Sequence, residues 1–352
     1  MSKFYQLKIK KINKNTNNAV IIDFNIPQDL KVFFKFKAGQ YITLKTEINS
    51  KEIRRDYSIC ASPISGELKV AVKMIKGGSF SVYANNFLKA NTVLEVAPPK
   101  GRFVFEPIRS IKRTIVAFAA GSGITPIISI LKTVLEEEPL STFILVYGNK
   151  TPRDTIFYSE LLVLKSKYPI RFKLEFVFSQ SDEENTLFGR IDKNTVEYIV
   201  KDKHKNLELD LFYLCGPETM TAATSEALQK HGIEKDNIHF ELFTTSTTPI
   251  EALKTTTANG NAEITLLLDE KNYSFNMPQK KNILEAALDE DIDVPYSCQA
   301  GVCSSCIAIL SEGKINMLQN NILTDSDIDN GLILTCQAQP ITSKVILSYD
   351  NV

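Results

Sequence analysis

Four cysteines near the end of this 352-residue chain have a spacing suited to redox chemistry. Cys298-x4-Cys303-x2-Cys306, followed after twenty-nine intervening residues by Cys336, is the pattern with which thiolates ligate a plant-type [2Fe–2S] cluster. Ala300, Gly301, Ser304 and Ser305 lie between the cysteines. They are small enough for the backbone to wrap a cluster closely and turn amides toward its sulfurs. The competing chemistry is structural zinc, which in four-cysteine form takes two separated C-x2-C pairs; here there is one.

Two glycine turns are suited to phosphate. Gly121-Ser122-Gly123-Ile124-Thr125-Pro126 follows an apolar run and opens a helical pattern, the context in which backbone N–H groups cradle a dinucleotide. Pro126 stands where the dinucleotide fingerprint has its third glycine, and proline is tolerated in a first helical turn. The next strand runs into Gly148-Asn149-Lys150 and lacks the acidic residue that grips a ribose in that fingerprint. Gly77-Gly78-Ser79-Phe80-Ser81 likewise precedes a helix, where free N–H groups and the helix dipole favour a pyrophosphate; an ordinary turn with a Ser cap would use the same residues.

The elements that must hold these residues fall into three blocks. Residues 1–107 read as six short strands (Phe4–Ile12, Ala19–Ile26, Gln40–Thr46, Ile53–Cys60, Glu67–Met74, Val93–Ala97) and one helix (Ser79–Leu88), which predicts an antiparallel β-barrel. Residues 108–243 alternate strand and helix: Thr114–Ala119, Ile124–Glu138, Thr142–Tyr147, Thr155–Lys167, Arg171–Phe178, Leu211–Leu214 and Pro217–Lys230, an α/β domain with a parallel sheet. Residues 244–261, rich in Thr, read as a linker with a reach of roughly 23 Å if flexible. Residues 262–352 carry a strand, a helix, the cysteine loop and further strands, an α+β domain.

Composition narrows the function. Forty-one basic and 41 acidic residues cancel and are scattered, so no basic stripe addresses nucleic acid. No apolar run reaches membrane-spanning length, and Met1–Lys8 lacks the apolar core of a signal peptide; the expected compartment is the cytoplasm. Six cysteines are too few for a disulfide scaffold. His204, His231 and His239 show no ligand spacing, Cys60 reads as a small buried residue, and the acidic run Glu136–Glu138 reads as a solvent-facing helix end.

The assembled motifs resemble a known family. Residues 262–352 look like a plant-type ferredoxin domain of the β-grasp type. The run Pro295-Tyr296-Ser297-Cys298-Gln299-Ala300-Gly301-Val302-Cys303-Ser304-Ser305-Cys306, with Leu334-Thr335-Cys336-Gln337, is similar to that of phenylacetyl-CoA epoxidase reductase subunits, with ring-hydroxylase reductases of the same domain order close behind. Arg55-Asp56-Tyr57-Ser58 resembles the R-x-Y-S motif of the ferredoxin-NADP reductase superfamily, and Gly121 to Pro126 its G-x-G-x-x-P turn.

That resemblance implies a flavin on the barrel, FAD by overall similarity although FMN reductases share R-x-Y-S. It packs Tyr57 on the ring, sets Ser58 near N5, pairs Arg55 with phosphate, and uses Gly77, Gly78, Ser79, Phe80 and Ser81 for the pyrophosphate. It places the nucleotide at Gly121, Gly123, Thr125 and Pro126, with Cys215-Gly216-Pro217 beside the nicotinamide and Glu241 and Phe243 in a segment closing over the flavin, Glu241 within its proton network. Ser179-Gln180 occupies the place where NADPH users show Ser-Arg, and Asp182, Glu183 and Glu184 follow it. Lys150, Arg153 and Arg190 are alternative cationic partners, so NADH and NADPH both stand. The implied activity is an NAD(P)H-dependent reductase that sends electrons through flavin and cluster to an oxygenase component, the diiron phenylacetyl-CoA epoxidase first and a Rieske-type or fatty-acid-modifying oxygenase next. The alternatives of another class are a redox sensor without turnover and an electron-transfer protein fed by a separate donor protein.

Overall fold

A computed structural model describes residues 3–243, 260–350 and 352. Two compact units emerge, one spanning Tyr5–Phe243 and one containing residues 260–352. The expected linker lies outside the described residues except for Gly260 and Asn261, the latter already the first residue of a strand.

The first half of the larger unit holds β1 (Tyr5–Thr16), β2 (Ala19–Asn25), β3 (Tyr41–Ile48), β4 (Lys51–Ser58), β5 (Leu68–Lys73), α1 (Ser79–Asn86) and β6 (Val93–Val96). They form a six-stranded antiparallel sheet in the order β4-β3-β6-β1-β2-β5. Its two outer strands are brought together by a bridge between Ile59, just past the end of β4, and Val70 within β5. Alternation decides which face is inside: Leu7 and Ile9 of β1, Ile42 and Leu44 of β3, and Val70 and Val72 of β5 share one core, as a sheet buried on one face requires. Phe80 and Ala84 of α1 plug that core.

The second half contains β7 (Thr114–Ala120), α2 (Ile124–Glu137), β8 (Thr142–Asn149), α3 (Tyr158–Lys167), β9 (Phe172–Phe178), β10 (Leu187–Phe188), α4 (Lys193–Glu197), β11 (Leu211–Cys215), α5 (Glu218–Lys230) and β12 (Ile238–Glu241). Its parallel sheet runs β10-β9-β8-β7-β11-β12, so β7 is central. That explains the unbroken apolar run TIVAFAA, because a central parallel strand is covered on both faces. The order reverses beside β7, where chain after β8 builds one side and chain after β11 the other. Ligands of open α/β sheets sit at the carboxyl ends of the strands flanking such a point.

One expectation fails here. Glu136 is exposed, but Glu138 is fully buried. Its carboxylate accepts from Arg113 Nε at 3.1 Å and Nη2 at 2.5 Å, from the Ile108 amide at 2.8 Å and from Ser141 Oγ at 2.8 Å. Arg171 donates to the carbonyls of Leu135 and Glu138, at 2.7 and 3.0 Å, covering the orphan acceptors and negative dipole end of α2. The acidic run is therefore split, and its last member anchors the start of β7 to the end of α2.

The smaller unit contains β13 (Asn261–Leu268), β14 (Lys271–Pro278), α6 (Ile283–Asp289), β15 (Ile307–Glu312), β16 (Ile315–Met317), α7 (Asp325–Asp329), β17 (Leu332–Leu334), β18 (Ala338–Pro340) and β19 (Lys344–Ser348). A five-stranded mixed sheet, β14-β13-β19-β15-β17, packs Ile264, Leu266 and Val345 against Ile283, Leu284 and Ala287 of α6. Asn282 caps α6 by accepting from the Glu285 amide at 2.7 Å, and Thr324 and Asp327 form a reciprocal capping box on α7.

Removing the Glu138 carboxylate strands Arg113 in a nearly dry site, a loss that costs about 3–5 kcal/mol where a buried pair is broken. The expected outcome for Glu138→Ala is a correspondingly lower urea midpoint for the larger unit, read by tyrosine fluorescence because the chain has no Trp. A change below about 1 kcal/mol, the range of exposed pairs, would show that the pair is solvated instead.

Candidate functional site

The strand ends beside the crossover meet at a steric limit. Gly121–Gly123 forms a 3-10 turn between β7 and α2. A Cβ at Gly123 would lie 2.0 Å from the carbonyl oxygen of Cys215, so only glycine allows the turn to rest on the end of β11. Gly216 is less constrained, since a Cβ there would lie 2.6 Å from the Met220 methyl, the movable end of a flexible side chain. Gly121 adopts φ +55°, and its carbonyl accepts from the Tyr147 hydroxyl at 2.8 Å. Thr125 donates its hydroxyl to the Ser122 carbonyl at 3.0 Å, and the buried Pro126 sits in the first turn of α2. Pro217 caps α5 at Cys215-Gly216-Pro217.

Parallel pairing sets Cys215 beside Ala119 of β7 on one side and Glu241 of β12 on the other. The Cys215 side chain is fully buried. Burial first, then the Glu241 carboxylate, holds its thiol well above the ordinary value. It is thus a neutral thiol and no nucleophile.

The barrel reaches the same spot. In β4 the side chains of Arg55 and Tyr57 alternate with those of Asp56 and Ser58. Ser58 donates its hydroxyl to Glu241 Oε2 at 3.4 Å across 183 residues of sequence. Thr43, opposite Asp56 in the β3–β4 register, donates to Asp56 Oδ1 at 2.6 Å. Burial pushes the Glu241 carboxyl up to about 8, with the Asp56 charge adding to the rise and the Ser58 hydrogen bond opposing it. Ser58, Glu241 and Cys215 therefore form one cluster with a proton held on a carboxyl near neutral pH.

The aromatic residue of the β4 motif is half-buried, and its ring lies 5.4 Å from that of Phe80, centroid to centroid. Phe80 itself belongs to the barrel core, 1% exposed, so it offers the site its amide and not its ring. In the turn before α1, Gly77 has φ +76° and a Cβ on Gly78 would come within 2.4 Å of Ser81 Oγ. Ser81 uses its hydroxyl to accept from the Ile75 amide at 3.2 Å. Ser79 is exposed, and the helix cap is Gly78 with no side-chain bond. The opening amides of α1 are thereby left without a capping side chain, as an anion site requires. Arg55 is exposed, its Nη1 donating to the Arg54 carbonyl at 2.6 Å.

Lys73 was not singled out from sequence. At the end of β5 its Nζ lies 3.3 Å from the Cβ position of Gly121, above the glycine turn. Burial lowers its pKa, Asp154 opposes that, and Lys150 adds to the lowering. A cation ending a strand just before one glycine turn was the available signal; its approach to the other turn depends on the docking of barrel and sheet.

Ser179 and Gln180 lie apart from this cluster, at the end of β9. Their amides donate to the carbonyls of Asn149 and Lys150 at 3.0 and 2.9 Å, which ties the exits of β8 and β9 together. Gln180, Asp182, Glu183, Glu184, Lys150, Arg153 and Arg190 are all exposed. Phe243 is 37% exposed two residues beyond Glu241.

In the smaller unit the four cysteines divide into two contacting pairs. Cys298 hydrogen-bonds Cys303, and Cys306 hydrogen-bonds Cys336. Two thiol pairs suit two bridged irons. The Cys303 contact, assisted by the amides of Ala300, Val302 and Cys303 and opposed by burial, lowers the Cys298 thiol. The loop takes left-handed backbone at Gln299, φ +55°, and Gly301, φ +68°, folding amides inward. Ser297 buries a hydroxyl without a protein partner just before the first ligand. Behind the second pair, Tyr349 donates to Thr335 at 2.9 Å and Thr335 to the Cys306 carbonyl at 3.0 Å.

An antiparallel barrel beside a parallel nucleotide sheet, with a thiol, a hydroxyl and a protonated carboxyl at their meeting point, and a separate two-pair cysteine loop, define a nicotinamide-dependent flavoprotein reductase with a fused [2Fe–2S] domain. Domain families agree: an oxidoreductase FAD-binding domain matches residues 6–105, an oxidoreductase NAD-binding domain residues 118–226, and a 2Fe-2S iron-sulfur cluster binding domain residues 266–340. The chain is 37% identical to a subunit of the 1,2-phenylacetyl-CoA epoxidase of Escherichia coli (strain K12), over 99% of both chains. It is 30% identical to the ferredoxin reductase component of 3-ketosteroid-9-alpha-monooxygenase from Rhodococcus rhodochrous, covering 97% of this chain and 96% of that one. The structure of phthalate dioxygenase reductase shares the fold, with a TM-score of 0.61 at 23% identity and 98% coverage of each. The chain belongs to the family of FAD- and [2Fe–2S]-containing oxygenase reductases. Among the described residues no helix is long and apolar enough to cross a membrane.

The raised carboxyl of Glu241 has a thermodynamic consequence. Its folded pKa of about 8 exceeds the unfolded value near ~4.3, so the folded state holds the proton more tightly. The stabilisation is complete below the unfolded pKa and is lost as pH rises toward about 8. Glu241→Gln, which stays neutral, should flatten the fall in Tm over that window and melt a few degrees above wild type at the upper end. Parallel Tm–pH curves for the two proteins would mean the carboxyl is ionised throughout.

Proposed function

We propose that this chain is the NAD(P)H-oxidising reductase component of an oxygenase, with phenylacetyl-CoA epoxidase as the first candidate partner. The convergence of Ser58, Cys215 and Glu241 carries the reading of the active site. The family membership supplies the direction of electron flow, and the 37% identity over the whole length favours the epoxidase among partners.

FAD, when bound, supplies the exchange between a hydride, which carries two electrons, and single-electron transfer. Tyr57 gives the isoalloxazine an aromatic wall, and Ser58 presents its hydroxyl at the reacting edge. The bared amides of Gly78 to Ser81 meet the pyrophosphate at the opening of α1, with Arg55 as a bidentate cation. Gly121, Gly123, Thr125 and Pro126 form the nicotinamide nucleotide's phosphate cradle, and Lys73 supplies its positive charge. Cys215, uncharged and apolar, walls the nicotinamide at a distance fixed by the Gly123 contact. Gly216 and Pro217 hold that wall by starting α5. Glu241 holds the proton that must enter or leave the site as charge changes, passing it through Ser58, and Phe243 screens the pair from water.

At the outer edge of the sheet, Ser179 and Gln180 face the adenosine end. Asp182, Glu183 and Glu184 disfavour an added 2′-phosphate, whereas Lys150, Arg153 and Arg190 favour it, and we keep the donor as NAD(P)H. In the second unit Cys298 with Cys303 would bind one iron and Cys306 with Cys336 the other. The cluster supplies one-electron transfer. Thiolate ligands and a reduced nucleotide suit the reducing cytoplasm.

Two variants test the division of labour in the full-length protein. Cys215→Phe, which fills the wall with a ring, should slow anaerobic flavin bleaching by NAD(P)H about a hundredfold, the scale of a misplaced reactant, with flavin content preserved. Cys303→Ala should leave NAD(P)H-to-ferricyanide activity near the wild-type rate and abolish cytochrome c reduction. Loss of both activities together in Cys303→Ala would break the assignment of the cluster as the exit.

A further inference from the structure

Gln337 follows the last cluster ligand and is held more firmly than a solvent-facing residue would be. It is 8% exposed. Its amide donates to the Leu334 carbonyl at 2.9 Å, and its own carbonyl accepts from Leu318 at 3.0 Å, so both backbone groups are pinned. The side chain then has one direction open to it. Nε2 donates to the carbonyl of Gln299 at 3.1 Å and to Cys336 Sγ at 3.6 Å, a length appropriate to sulfur's larger radius. Both neighbours are acceptors, which fixes the amide with its NH2 group toward them.

Space for this clip exists because residue 301 is glycine: a Cβ there would lie 3.1 Å from Gln337 Cγ. Gln299 is the non-glycine residue of the cysteine loop in left-handed backbone, at φ +55°. Such a conformation costs of the order of 1 kcal/mol or more and persists where surroundings over-determine it. A donor aimed at its carbonyl is such a surrounding.

We propose that Gln337 is a positioning residue for electron transfer that ties the cysteine loop at Gln299 to the ligand Cys336 and, through its second N–H, withdraws charge from that sulfur. Reduction adds one negative charge to the cluster and its four thiolates. A donor to a ligand sulfur stabilises that added charge more than it stabilises the oxidised state, so it raises the reduction potential. The effect lies between flavin and acceptor, setting how completely the cluster is reduced at a given poise. The inference rests on the reading of Cys298, Cys303, Cys306 and Cys336 as cluster ligands.

The test is an EPR-monitored redox titration of full-length Gln337→Met, which keeps length and volume but has no donor, with iron and sulfide content measured alongside. One lost charge-assisted hydrogen bond should shift the cluster's reduction equilibrium about tenfold toward the oxidised form, ~59 mV for a single electron, while the flavin potential stays in place. Because a loosened loop would also lower cluster loading, wild-type protein labelled with 15N in glutamine side chains provides a second readout. Pulsed EPR of its reduced cluster should show a 15N coupling, and the coupling should be lost in Gln337→Met. An unshifted cluster potential in a fully loaded variant, or no 15N coupling in wild type, would overturn the role of Gln337 while leaving the ligands intact. Wild-type protein that binds no iron would overturn the ligand assignment as well.

Discussion

No side chain fits at position 123. With a Cβ there only 2.0 Å from the Cys215 carbonyl, the turn after β7 and the end of β11 can be this close only if residue 123 is glycine. The rest of the larger unit's site is built outward from that contact. It seats the turn on the backbone of Cys215 at the end of β11, and parallel register sets Glu241 beside that residue on the next strand. Ser58 completes the cluster from the barrel. Angstrom-scale placement matters because hydride transfer falls off steeply with misorientation.

The chemistry of that cluster follows from burial. A buried thiol and a half-buried carboxyl side by side both resist ionisation. The Cys215 thiol stays neutral, and Glu241 keeps a proton at a pH where an exposed carboxyl has lost it. In the cysteine loop the contact with Cys303, assisted by inward-facing amides, instead favours thiolate at Cys298.

Features governed by local sequence were legible from the residues alone. The spacing of Cys298, Cys303, Cys306 and Cys336, the glycine turns at 77–78 and 121–123, and the switch from strand periodicity to strand–helix alternation near residue 113 depend on neighbours a few residues away. Features set by docking were not. Glu138 lies in an acidic run that looks solvent-facing, yet its partner Arg113 is on the far side of α2. The approach of Lys73 to Gly121 joins two domains, and the Ser58–Glu241 bond spans 183 residues. Gln337 looked like part of a motif, and only the fold showed its amide reaching back to Gln299. The short β10, the one-turn α4 and the π-helical turn Tyr198–Lys203 were not legible either, since elements of that length carry little periodicity.

The central claim is that one chain takes a hydride from NAD(P)H and delivers its electrons singly through an iron–sulfur centre. Anaerobic titration of the purified full-length protein with NADH and, separately, NADPH, followed by absorbance and EPR, tests it directly. The expected result is about three electrons taken up per chain, two at flavin and one at the cluster, with flavin bleaching accompanied by the EPR signal of a reduced [2Fe–2S] centre. A colourless protein, or flavin that bleaches while the cluster stays oxidised at every ratio of nucleotide, would contradict it.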